Sequence, residues 1–170
     1  MSTLRFNTWQ NTGGTEVANS TLGTGKILQV VSATKTDTFT TTSTSFVDVT
    51  GVTLSITPTS ATSKVLVMIT GVTGQTSSVE LNWLNIVRDS TNIGQSTGGA
   101  TANETSILYP RVADCGFPFV MSFLDSPTTT SATTYKLQIA VSGGTGTIGR
   151  HGQNSNSGAI TTITVMEVSA

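Results

Sequence analysis

The chain has 170 residues and a formal net charge of −1, with only 10% charged side chains against roughly 25% in an ordinary globular protein. Its eight Lys and Arg residues are dispersed, which excludes the clustered basic groove that nucleic-acid binding requires. Cys115 is the single cysteine, so no intrachain disulfide is possible, and no apolar run approaches the ~18 residues of a membrane helix.

Serine and threonine fill roughly a third of the chain, a composition shared with glycosylated stalks. Spacing argues for strands instead. Residues 1–26, with Leu4, Phe6 and Val17 among several glycines, read as an extended arm too short to fold alone. From Ile27 onward, strands are expected at 27–32, 36–41, 45–49, 52–57, 64–72, 79–88, 117–124, 134–142 and 160–168. Val47 and Val49 share one parity, and Val52, Leu54 and Ile56 share the other, with a break between two strands at Gly51. Threonine is β-branched and sits well on a pleated surface, so the hydroxyl field reads as the solvent face of a sheet. Hydrophobic residues at 36% and a mean hydropathy of +0.10, concentrated in these runs, argue against disorder. The expectation is one domain, 27–170, an all-β antiparallel β-sandwich of jelly-roll type with an extended N-terminal arm.

Three strands carry more detail. Val65 to Ile69 is apolar on both parities, so both faces of that strand should be covered, by a loop, a subunit contact or the core of the monomer. Phe117, Phe119, Met121 and Phe123 form one bulky face and Val120 and Leu124 add apolar area on the other, which again suits double cover. Tyr135, Leu137, Ile139 and Val141 alternate cleanly toward one face. Trp83 shares the parity of Val79, Leu81 and Val87 and is expected in the core.

Catalytic signatures are missing. His151 is the one histidine and lies in a Gly- and Asn-rich loop without a nucleophile-elbow context. One Cys and one His at distant positions do not supply a standard zinc site. Glycoside hydrolysis needs a carboxylate pair drawn from Asp37, Asp48, Asp89, Asp114 and Asp125; Asp89 and Asp125 look instead like turn residues that cap local backbone N–H groups. The segment "GGTGTIG" at 143–149 lacks the Gly-Lys-Ser/Thr ending of a phosphate loop and reads as a hairpin. Neither an enzyme nor a cofactor or metal site is expected. The residues 1–10 show no basic region followed by an apolar stretch, so neither a classical secretion signal nor membrane insertion is expected.

The blocks "GKILQVVSATKTDTFTTTSTSFVDVTGVTLSITPTSATSKVLVMI", "IVRDSTNIG", "FLDSPTTTSATTYKLQIAV" and "ITVMEV", preceded by "LRFNTWQNTGGTEV", resemble a β-rich module of bacteriophage tail-fibre and other virion surface proteins, many of them marine or cyanobacterial. Trp9 stands where an aliphatic residue is more usual. The resemblance implies a non-enzymatic structural protein on the surface of the phage particle, commonly a homotrimer, joined to other virion proteins through its arm. A short fibre or knob, a head fibre and a capsid decoration protein all fit it, and a glycan depolymerase is the enzymatic rival. Leu4, Phe6 and Trp9 are the candidate docking residues of the arm. Host-glycan contact is expected in the loops 96–106 and 149–158, where Asn103, Glu104, Arg150, His151, Gln153, Asn154 and Asn156 offer donors and acceptors for sugar hydroxyls.

Overall fold

The computed structural model describes residues 25–97, 104–108, 113–153 and 158–170, and every regular element in them is a β-strand. In chain order these are β1 (Ile27–Lys35), β2 (Phe39–Thr41), β3 (Val47–Ile56), β4 (Lys64–Gln75), β5 (Asn82–Arg88), β6 (Thr91–Ile93), β7 (Ser106–Leu108), β8 (Cys115–Asp125), β9 (Thr133–Val141), β10 (Gly146–Ile148) and β11 (Thr161–Val168). One sheet runs β1-β11-β4-β10-β2 with β8 on the other edge of β4; the second runs β3-β9-β5-β6, with β7 also on β5. All pairings are antiparallel and nested: β1 meets β11, β3 meets β9, β4 meets β8, and β5 meets β6 and β7. That nesting is the double Greek key of a jelly roll. The expected fold class holds. The expected arm and its anchors Leu4, Phe6 and Trp9 lie outside the described residues, except for Gly25 and Lys26, which bond to Ser169 beside β11.

Strand alternation builds the core. Val65, Val67 and Ile69 of β4 and Ile163 and Val165 of β11 face Leu84 and Ile86 of β5 and Tyr135, Leu137 and Ile139 of β9, all fully buried in one cluster. Phe119 and Met121 of β8 join them. Burial of each such side chain is worth about 1.5–3 kcal/mol, which is how a chain with so few charges and no disulfide holds together.

Several boundaries differ from expectation. The strands expected at 45–49 and 52–57 are one strand, β3, passing through Gly51 at φ 83°. Its register against β9 jumps from Asp48↔Gln138 to Thr53↔Lys136, five steps on β3 against two on its partner. An odd excess exchanges the two faces of a strand. The parity change at Gly51 is therefore a bulge, which keeps Val49 and Val52 both buried. The segment 36–41 contributes only the short β2, and β5 begins at Asn82 rather than 79, with Val79 exposed. "GTI" at 146–148 is no simple hairpin arm but β10, inserted between β4 and β2. β6 and β7 are two short pieces on one edge of β5, interrupted by residues 94–105. Trp83 pairs with Ala140 and Ile107 on the outer face, because Leu84 and Ile86 occupy the inward parity; the expected core position is wrong.

The Lys35 side chain lies along the bulge, its methylene stem 3.6 Å from where a Gly51 Cβ would stand, so space is adequate and backbone conformation is the constraint. A non-glycine residue in the left-handed region costs roughly 1–2 kcal/mol. Gly51→Ala should lower stability by about that amount in urea unfolding, with an unchanged far-UV spectrum; an unaltered midpoint would show that the bulge tolerates a side chain.

Candidate functional surface

The two sheets present different outer surfaces. On the β3-β9-β5 sheet, Asp48 accepts from Lys136 Nζ at 2.8 Å and from Gln138 Nε2 at 2.6 Å. The hydrogen bond from Lys136, then that from Gln138, holds its carboxyl below the usual range. Ser55 and Thr134 pair their hydroxyls at 2.8 Å on the same side. The β3 and β9 part of this face is polar, while toward β5 it carries the half-buried Trp83, the buried Val87 and, on β7, the exposed Ile107.

The outer face of the other sheet is apolar at one end. Register aligns Val30 of β1, Met166 of β11, Leu66 of β4 and Leu124 of β8 in one row. The next row is Ser32, Thr164, Met68 and Ser122, and the next Thr34, Thr162, Thr70 and Val120. Val30 is 56% exposed, Leu124 46% and Val120 71%, and Leu66, Met68 and Met166 are half-buried. Of the covers expected for β4 and β8, the core of the monomer seals the inner parity only; the outer parity is open within the described chain, which leaves the subunit contact as the candidate cover. No described segment of this chain lies over the row of Val30, Met166, Leu66 and Leu124.

The predicted contact loops leave the fold at different places. Asn103, Asn154 and Asn156 lie outside the described residues. Glu104 is half-buried at the base of the 94–105 excursion, its carbonyl accepting from Ser96 N at 3.0 Å. The neighbouring Thr105 fastens that base, donating its N–H to Asn85 Oδ1 and its hydroxyl to Ile93 O, each at 3.1 Å. The other loop follows β10 at the end of the first sheet. There Arg150 donates to the carbonyls of His151 and Gly152, at 3.0 and 2.9 Å, so its guanidinium binds its own loop. Gln153 donates its backbone N–H to the Asp114 carboxylate, and His151 is exposed.

Two inward acids escaped the sequence reading. Glu167 is fully buried and accepts from Gln29 Nε2 at 2.7 Å and from both the N–H and hydroxyl of Thr59, at 2.8 and 2.7 Å. Asp125, expected to cap a turn, ends β8 pointing inward. Its two oxygens accept from one nitrogen of Arg88 at 2.8 Å, and one of them also from the Tyr135 hydroxyl at 2.8 Å. Burial first, then the bond to Asp125, pushes the Tyr135 phenol far above its ordinary value. Parity was the available signal, since Glu167 is in phase with Ile163 and Val165, and Asp125 with Phe119 and Met121. Asp89 does act at a turn, at φ 51°, where its carboxylate accepts from Thr134 N at 2.9 Å. Among the described residues, no group of three or more His, Cys, Asp or Glu is placed to hold a metal ion.

No family model matches the chain, and no curated protein does. Among solved structures, the infectious bursal disease virus Gt strain aligns at 13% identity and a TM-score of 0.44, over 84% of this chain and 38% of that one. T=1 particles derived from infectious bursal virus align at 13% identity and a TM-score of 0.43, over 84% and 36%. The chain thus spans little more than a third of the virus-protein chains it matches. Likeness this distant assigns no function here, and the fold class rests on the strand order itself.

Glu167 supplies a pH test. Burial opposes its ionisation, but the hydrogen bonds from Gln29, Thr59 and Ser63 outweigh that and hold the carboxyl at about 2, below its ordinary 4.5. A depressed folded-state value favours the ionised, folded form, so this contribution is complete above about pH 4.5 and disappears as pH falls toward 2. Thermal melts should show a midpoint falling through that window, and Glu167→Gln should flatten the slope while costing about 1–3 kcal/mol at neutral pH. An identical slope in the variant would remove Glu167 as its origin.

Proposed function

We propose that this chain is a non-enzymatic structural protein of a phage particle, a short fibre or knob displayed on the particle surface as a homotrimer. Its residues 1–26 join it to another virion protein through Leu4, Phe6 and Trp9. The observation that carries this reading is the open apolar row on the outer face of the first sheet, where the β3 and β9 side of the second sheet instead presents the Asp48 and Lys136 ion pair. A protein that acts alone gains nothing from leaving Val30, Leu124 and Val120 in water. A subunit of a larger assembly buries them.

The two buried acids serve the fold. Asp125 and Glu167 are both closed over by protein donors, whereas a glycan hydrolase needs its carboxylate pair open to a sugar and a water. Adhesion to host glycans is the further task of the displayed loops. With Arg150 committed to its own loop, His151 and the neighbouring Gln153 are the residues of 149–153 best placed for it. Single contacts of this kind are weak, and useful adhesion depends on many copies engaging one cell surface.

The test is incorporation. Mass spectrometry of purified particles should find the chain at stoichiometric abundance. A version lacking residues 1–24 should fold, with an unchanged far-UV spectrum, yet be absent from particles. A chain found free in infected cells and missing from particles would overturn the reading; a truncated chain that incorporates normally would overturn the role of the arm.

A further inference from the structure

We propose that the outer face of β1, β11, β4 and β8 is the surface by which copies of this chain associate with one another. The inference deepens the virion reading and rests on it for the setting in which copies meet. Its physical basis lies in the chemistry of the face. The row Val30, Met166, Leu66 and Leu124 is continued by Met68 and Val120 in the rows behind it. Around these, the polar groups are hydroxyls, and those of β1 and β11 bond to each other in two pairs. Ser32 and Thr164 pair at 2.9 Å, and Ser32 also donates to Ile163 O at 3.2 Å. A hydroxyl with a partner in its own face loses little when water is removed, whereas an unpaired one carries the full desolvation penalty.

Charge selects the occupant. Among the outward residues of these four strands, Lys64 at the margin is the one charged side chain. A partner with its own charges would have to bury them against this face without counterions, which is costly. A second copy brings the same uncharged surface, so copies arranged about a symmetry axis can meet along this face without burying an unpaired charge at its centre. On the opposite sheet a second copy would have to bury the exposed Asp48 and its half-buried partner Lys136.

Size sets the strength. Four strands about 4.8 Å apart, read over some seven residues of about 3.3 Å each, give a footprint of roughly 400 Å². That is about half of one side of a standard interface. Association in solution should therefore depend on concentration and become complete where a particle holds copies together.

The experiment is light scattering on the full chain across about 1–500 μM, with Val30→Glu, Leu124→Glu, Val120→Glu and, as a control on the other sheet, Ile107→Glu. All four positions are exposed, so folding should survive, and circular dichroism checks that it does. The expected result is a mass rising with concentration to a multiple of 17.6 kDa. Each substitution on the face should weaken association about tenfold or more, and Ile107→Glu should leave it unchanged. A chain at monomer mass throughout overturns the proposal and leaves the face to its own N-terminal segment or to another protein. So does an oligomer indifferent to all three face charges, or one that Ile107→Glu dissolves equally. Self-association through this face in a chain absent from particles would sink the virion reading alone; a monomer that still incorporates would sink this inference alone.

Discussion

The contact that everything else depends on is the burial of Val67, Ile69, Ile163 and Val165 of one sheet together with Leu84, Ile86, Leu137 and Ile139 of the other. It fixes the parity of four strands, and once parity is fixed the opposite side chains have no choice of face. Met68, Leu66 and Met166 stand outward because their neighbours stand inward. The apolar outer row is thus not an accident of a loose surface; it is held in register by the same ladders that close the core.

Both ends of this apolar layer finish in buried polar groups with partners. At one end the inward row Glu167, Val65 and Asp125 sets two carboxylates into the gap, each met by donors from across it or from the 57–63 connection. At the other end Asn82 donates to Thr73 and to the carbonyl of Gly74, at 2.9 and 2.8 Å, and accepts from Gln75 at 3.0 Å. Such networks specify how the sheets stack because only one alignment satisfies them. They also explain how a domain with few charges places two acids inside: surface solubility comes from hydroxyls, and the acids at the core ends define geometry.

Much of this was legible in the sequence. The alternation of Tyr135, Leu137, Ile139 and Val141 gave their common face, and the parity change at Gly51 was visible, though it looked like a boundary between two strands. A break and a bulge have the same parity signature, and only the partner strand tells them apart. The short strands β6, β7 and β10 were hidden because three residues carry no period. Trp83 was misplaced because β5 is apolar on both parities, and the shared parity of Val79, Leu81 and Val87 pointed to the wrong one. The outward side of β4 was read as apolar and covered, with a loop, a subunit contact and the monomer's own core left open as the cover, since a sequence does not distinguish a face buried within one chain from a face left for another. The candidate contact residues split between described and undescribed loops, and Arg150 shows why polar composition overstates binding capacity: its donors serve its own loop.

Methionine provides a probe on each side of the first sheet, whose outer face is the one proposed to meet another copy. Met68 and Met166 lie on the outer face, and Met121 is buried in the core. Methyl NMR on the ¹³C-methionine protein across a dilution series reads all three at once. The Met68 and Met166 methyl resonances should shift or broaden with concentration while Met121 stays fixed. Resonances of Met68 and Met166 that do not respond to concentration would contradict self-association through this face.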